Sequence, residues 1–366
     1  FASSFDKFSP PSLLVANYYK LTIYFRVSIV SKLLHRIMDL THLWRILSMK
    51  IVKRILLAVV TICVLFLGII YFLGYKLNIY LVPPSPQKYV QVALNNMDEL
   101  GLFTDSKEWV ETKKNTIQET SNAKDYAETI PNLKKAIKVA GGKHSFIEDE
   151  ENMSKKSIEE YVKPKAEVEN DILVLTIPAF TGSDKEAEEY TTILETALHK
   201  KIYKSVIVDL CGNTGGDMAP MILGLSAILP DGKLFSYVDK NNDLEPVTLK
   251  SGELNSNIST IKISDNKKIK KVPIAILIDS NTGSSGELTA LCFKGIPNVK
   301  FFGSDSAGYT SANQTVYLYD GSTLQITSAF VKDRTNKIYK NVPINPDVRT
   351  NNSKSSAIEW IRSQLK

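Results

Sequence analysis

"VPIAILIDSNTGSSGELTALCF", Val272 to Phe293, joins an apolar run to a segment of helical spacing through a short Ser/Asn/Gly turn. The run reads as a buried strand, and "SGELTALCF" reads as a helix. Two adjacent serines, Ser284 and Ser285, stand at the junction. Ser284-x-x-Glu287 fits the capping box, in which a hydroxyl and a carboxylate satisfy free N–H groups of the first helical turn. The same position suits a nucleophile. The N–H of the following residue, Ser285, can face the oxygen that the Ser284 hydroxyl attacks. Locally, capping and chemistry are both open.

The alternation continues on either side. "ILVLTI" (172–177) reads as a strand and "SDKEAEEYTTILETALHK" (183–200) as a helix opened by a capping box, Ser183-x-x-Glu186. "SVIVDL" (205–210) reads as a buried strand, "APMILGLSAIL" (219–229) as a helix and "VKFFG" (299–303) as a strand. Near-continuous apolar strands alternating with helices predict an α/β core on a mostly parallel, covered sheet. "TVYLYDGSTLQIT" (315–327) adds a β-hairpin around Asp320-Gly321. Upstream, "LVPPSPQ" (81–87) is a stiff linker, and Ser85-Pro86 opens a helix with Tyr89, Val90, Ala93 and Met97 on one face. "SKEWVETKK" and "NLKKAIKVAGG" read as two further helices, the second stopped by Gly141 and Gly142.

The net charge of +6 is unevenly spread. Residues 1–75 carry nine Lys/Arg against two Asp/Glu, and the remaining chain carries 36 against 37. The basic excess is therefore no footprint for nucleic acid. Ile55 to Tyr75 is free of charge over 21 positions, which at 1.5 Å per residue spans a bilayer core of about 30 Å. Lys50, Lys53 and Arg54 precede it, so the positive-inside rule puts the N-terminus in the cytoplasm and the chain beyond Tyr75 outside the cell membrane. A cleaved signal peptide would carry an A-x-A-like site, and none follows. The chain opens on Phe, while "MKIVKR" at Met49 has the look of an ordinary start; residues 1–48 are expected to be an upstream or artefactual segment. Cys211 and Cys292, the two cysteines beyond the membrane, form no disulfide framework, and no Cys/His group has metal-site spacing.

Three features fall at strand ends, where α/β folds place their sites. Ser284 is one. In "DLCGNTGGDM" (209–218) the N–H groups of Gly215 and Gly216 can point into a cleft beside a positive helix end, a geometry for an oxyanion or simply a flexible turn. The third is His144 in "GGKHSF". Only His144 and His199 lie beyond the membrane segment, and His199 ends an amphipathic helix beside two lysines, where a cation suits the helix end. His144 is thus the better base for a serine.

"DLCGNTGG", "NTGSSGELTA" and "FFGSDSAGYT", in that order, resemble the core of the C-terminal processing (tail-specific) and tricorn-type serine peptidases, over roughly Gly141 to Arg349 and including "INPDV". The resemblance implies a ClpP/crotonase-like α/β fold, a protein or peptide substrate, and no metal or organic cofactor. It implies Ser284, three residues before the helix glutamate Glu287, as nucleophile. The N–H of Ser285 and one from Gly215 or Gly216 would form the oxyanion hole. Tyr309 stands where the tail-specific branch has a catalytic lysine, whereas His144 matches the upstream histidine of the tricorn-type branch. No stretch is long enough for the PDZ domain that many tail-specific enzymes carry. No acid clearly matches the tricorn-type partner of the histidine; Asn341 and Val342 lie near where it is sought, and Ser145 or a carboxylate not yet placed is the candidate to orient the ring.

The resulting division is an upstream segment (1–48), a transmembrane anchor (49–75), a helical lead-in (76–140), a peptidase core (141–352) and a C-terminal helix (353–366). Two other readings remain open. A non-catalytic peptide-binding surface protein would keep the fold, and a crotonase-type acyl-CoA enzyme would use the same kind of oxyanion site.

Overall fold

The structure is a computed structural model. It describes residues 49–74, 79–149, 161–200, 202–255 and 271–366, with part of the segment 256–270. The expected upstream segment 1–48 lies outside the described residues.

Helix α1 (Met49–Leu73) is continuous through the apolar run. Lys53–Tyr71 has a mean hydropathy of 2.6, and none of it is buried within the protein. By length and composition it is able to cross a membrane.

The lead-in forms helices α2 (Pro86–Leu100), α3 (Lys107–Glu119) and α4 (Ile130–Gly141). The hydroxyls of Ser85 and Ser106 cap the first two, accepting from the N–H groups of Lys88 and Trp109. Tyr89, Val90, Ala93 and Met97 are buried, as their spacing predicts. They pack with Trp109, Leu133 and Ile137 against Leu318, Leu324 and Ile326, so the lead-in is welded to the hairpin strands and does not form a separate body.

The strands are β1 (Phe146–Glu148), β2 (Lys165–Glu169), β3 (Ile172–Thr176), β4 (Ser205–Asp209), β5 (Gly232–Asp239), β6 (Leu244–Lys250), β7 (Glu253–Leu254), β8 (Ile274–Ile278), β9 (Val299–Gly303), β10 (Ser311–Tyr317), β11 (Thr323–Asp333), β12 (Ile338–Tyr339) and β13 (Val348–Arg349). One sheet runs β13-β9-β8-β4-β3-β2, parallel except for the β2 edge. Its strands are the apolar runs of the sequence. Helices α5 (Asp184–His199), α6 (Met218–Gly224) and α7 (Ser285–Leu291) contribute to the core on one face. The other face packs Ile207, Ala275 and Leu277 against Ala357 and Ile361 of α8 (Ser353–Gln364). This sheet matches the predicted covered, mostly parallel one.

The second sheet corrects that prediction. Seven strands are joined in antiparallel pairs, with β11 bonded to β1, β5, β10 and β12. The expected hairpin exists as β10–β11, but it forms the centre of this sheet rather than an excursion from the first. The protein is therefore a mixed α/β fold with two sheets of comparable size.

Candidate active site

Ser284 lies at the β8-to-α7 turn, where the chain leaves the parallel sheet. Its backbone adopts φ 50°, ψ −120°, a region glycine enters freely and serine rarely does. Its N–H donates to Glu287 Oε2 at 3.1 Å, and its side chain faces the Glu287 N–H, so the predicted capping box is present in outline. The hydroxyl faces the first turn without making a cap hydrogen bond. Ser285 differs: its Oγ donates to the carbonyl of Gly216 at 2.5 Å. Of the two serines, Ser284 therefore has the hydroxyl left for chemistry.

Gly215 lies against this turn and Gly216 against the Phe180 backbone, each where only glycine fits. A Cβ on Gly215 would stand 2.9 Å from Ser284 Cβ, and one on Gly216 would stand 1.9 Å from the Phe180 carbonyl oxygen. Both have positive φ, 118° and 101°. The two are not equivalent as donors. Gly215 N–H is engaged by Asn213 Oδ1 at 3.0 Å, whereas Gly216 N–H has no such bond among the described residues. Ser285 is the first residue of α7, and first-turn N–H groups have no acceptor within the helix.

Glu287 does more than close a cap. It is completely buried and accepts from four donors: the N–H groups of Ser284, Gly308 (2.8 Å) and Tyr309 (2.7 Å), and the Ser306 hydroxyl. Every partner is a donor, which suits a carboxylate. Burial holds its pKa above the ordinary glutamate value, the four hydrogen bonds offsetting only part of that rise. Through Glu287 Oε2 the Ser284 turn and the Tyr309 loop share one anchor.

His144 follows the α4 stop at Gly142 and precedes β1. Its ring lies against that of Tyr309, centroids 5.1 Å apart. The structure thus strings His144, Tyr309, Glu287 and Ser284 into one series of contacts. Tyr309 lines the site as a wall: its N–H bonds Glu287, and its ring carries Lys143 Nζ at 4.9 Å. His199 remains at the end of α5.

The ring's partner was not foreseen. His144 Nδ1 is 2.8 Å from Ser311 Oγ, and Ser311 Oγ donates to Asn341 Oδ1 at 2.5 Å. Asn341 lies where the sequence pointed, but Ser311 carried no signal beyond being a serine on a strand. Ser145 does not reach the ring: its Oγ donates to Thr327 Oγ1 (2.9 Å) and accepts from the Thr327 N–H (2.8 Å). It anchors the backbone next to His144 instead.

Burial, then the charges of Lys138 and Lys143, hold the His144 pKa down to about 4, below the ordinary 6.5. The imidazole is neutral at neutral pH and able to accept a proton. Because the folded value is the lower one, its contribution to stability is complete above pH 6.5 and is lost as pH falls towards 4. If His144 is the base, the acid limb of kcat/KM falls near pH 4, and Lys138→Met moves it upward. A limb at the ordinary histidine value would contradict the burial of this ring.

Among the described residues no group of His, Cys, Asp or Glu could hold a metal ion. Of the cysteines, Cys292 is buried, with its pKa pushed up to about 12 by desolvation, and is no nucleophile.

The sequence matches the profile of Peptidase family S41 over residues 171–350. The nisin-resistance protein of Lactococcus lactis subsp. lactis is 75% identical over 318 residues, covering 87% of this chain and all of that protein. The carboxy-terminal processing protease CtpA of Bacillus subtilis is 29% identical over 161 residues, 44% of this chain and 31% of that one. Among solved structures, a lipoprotein from Streptococcus agalactiae superposes with a TM-score of 0.71 at 36% identity, covering 78% of this chain and 99% of that chain. Fold and comparisons together define a serine peptidase acting on proteins or peptides. The chain belongs to peptidase family S41, the C-terminal processing peptidases.

Proposed function

We propose that this peptidase is anchored in the cell membrane by α1, faces outward, and cleaves peptide bonds with Ser284 as nucleophile and His144 as base. His144 takes the Ser284 proton as Oγ attacks the substrate carbonyl. The N–H groups of Gly216 and Ser285 receive the oxyanion, an interaction worth about 3 kcal/mol per donor in other serine hydrolases. The protonated imidazole then returns the proton to the leaving amine, and water releases the acyl group by the reverse sequence. Gly215 shapes the hole, its own N–H being held by Asn213.

The observation that carries this reading is the state of the Ser284 turn. A left-handed serine without a cap hydrogen bond on its hydroxyl is pressed against Gly215, and the neighbouring Gly216 N–H is unengaged among the described residues. The high identity to a nisin-resistance protein supports nisin as the peptide cleaved, and resistance by hydrolysis as the role. The Lys50, Lys53 and Arg54 flank supports the outward orientation.

The test is mass spectrometry of nisin incubated with the full-length protein in detergent. The expected result is a pair of fragments whose masses sum to that of nisin plus one water. Intact nisin, with the same preparation cleaving other peptides, would remove nisin as substrate and leave the peptidase reading standing.

A further inference from the structure

Ser311 has one hydroxyl proton, and its hydrogen bonds divide that proton's use. The oxygen touches two groups, His144 Nδ1 at 2.8 Å and Asn341 Oδ1 at 2.5 Å. A carbonyl oxygen only accepts, so the Ser311 proton points at Asn341. With Asn341 Oδ1 turned to Ser311, and its Nδ2 buried without a partner among the described residues, Ser311 Oγ faces Nδ1 with lone pairs, which assigns the hydrogen to Nδ1. The imidazole is neutral, so Nε2 keeps its lone pair.

We propose that Ser311 and Asn341 are positioning residues that set the tautomer of His144, an uncharged relay in the place of a carboxylate. The proposal rests on His144 being the base for Ser284. No proton moves along the relay during the reaction. Nδ1 keeps its hydrogen and Ser311 keeps its own, while Nε2 gains the Ser284 proton and gives it to the leaving amine.

The surrounding structure is arranged for this. Ser311 is 1% exposed, so water does not compete for its hydroxyl. It begins β10 just before a β-bulge at Ala312/Asn313, an irregularity that re-aims side chains. On the far side of that bulge Asn313 Nδ2 donates to the His144 carbonyl at 2.9 Å, and Asn313 Oδ1 is held by Thr327 Oγ1 at 2.8 Å. The strand thus grips the His144 backbone at one residue and its ring at another. The Ser311–Asn341 bond is not needed to staple the two segments, because Thr310 Oγ1 already donates to the Val342 carbonyl at 2.9 Å.

The relay makes an asymmetric forecast. Asn341 does not touch the imidazole, yet its loss matters as much as the loss of Ser311. In Asn341→Leu the Ser311 proton is released to turn towards Nδ1, which places hydrogen on Nε2 and removes the base. Asn341→Asp keeps an oxygen acceptor, and Ser311→Thr keeps the hydroxyl.

The test is nitrogen NMR of the full-length protein in detergent with isotope-labelled histidine, the His144 signals being assigned by comparison with His144→Gln. It is paired with steady-state kinetics on a cleaved peptide. In the native protein Nδ1 is expected to give the protonated-nitrogen signal and Nε2 the bare one, with the order reversed in Asn341→Leu. Ser311→Ala and Asn341→Leu are expected to lower kcat by about 100-fold with KM nearly unchanged. Ser311→Thr and Asn341→Asp are expected to recover most of that loss. Hydrogen on Nε2 in the native protein would overturn the relay whether or not any variant folds. So would a Ser311→Ala enzyme of native kcat. Full turnover by His144→Gln would instead overturn the reading of His144 as base, a separate failure.

Discussion

Ser284→Ala is expected to lower kcat by about four to six orders of magnitude while leaving the protein folded. The Ser284 hydroxyl makes no cap hydrogen bond, and the N–H that reaches Glu287 survives the substitution. The loss is therefore chemical. Ser284→Gly gives an independent check on the geometry. Alanine retains the strain of φ 50°, about 1–3 kcal/mol, whereas glycine relieves it and gives back about 0.4–1 kcal/mol through the freer unfolded chain. The glycine variant is expected to be equally inactive yet about 1 kcal/mol more stable than the alanine variant by thermal unfolding. A glycine variant that melts lower would show that the backbone at residue 284 is not held left-handed. His144→Ala is expected to be as damaging as Ser284→Ala, and Tyr309→Phe mild, because Tyr309 serves the site through its ring face and its N–H.

Glu287 is expected to be the residue the site is least able to lose structurally. Replacing it with alanine leaves one buried and two part-buried backbone N–H groups and a buried hydroxyl without their acceptor. Each unsatisfied donor costs about 1–3 kcal/mol, and together they approach the whole stability of an ordinary domain. Glutamine is no conservative substitute. One carboxylate oxygen faces Ser306 and Gly308, the other Ser284 and Tyr309, so the amide NH₂ meets at least one backbone N–H in either orientation. Glu287→Gln is expected to lower unfolding stability by about 2–4 kcal/mol and to weaken activity, since the nucleophile turn and the Tyr309 wall hang from the same oxygen. A glutamine variant with native melting temperature and native kcat would show that the clamp is dispensable.

The parallel half of the fold was legible because its strands are buried on both faces and so are apolar throughout. Ile172–Thr176 and Ile274–Ile278 leave no other reading. The antiparallel sheet was not. In β6, "LEPVTLK" holds a proline and two charges, which argue against a strand until Pro246 is seen opposite Ser236. β11 reads as one arm of a hairpin, and nothing in its eleven residues announces that β1, β5 and β12 also pair with it.

The site was legible where spacing is local. Ser284 and Glu287 stand one helical turn apart, but a carboxylate at that position looks like a cap whether it holds one donor or four. His144 emerged by elimination among few histidines. Ser145 was misread because adjacency in sequence suggested contact. His144 lies in a turn closed by the Ser145 N–H on the Gly142 carbonyl, and there the two side chains diverge: Ser145 turns to Thr327 while the ring turns to Ser311, 167 residues along the chain.

The most direct measurement is the site of covalent capture. The full-length protein is treated with a fluorophosphonate probe, digested, and the adduct located by fragmentation mass spectrometry to a single residue. The adduct is expected on Ser284 alone, to be absent from Ser284→Ala, and to form far more slowly in His144→Ala. An adduct on Ser285 or on another serine, or undiminished capture by Ser284→Ala, would contradict the assignment on which the rest stands.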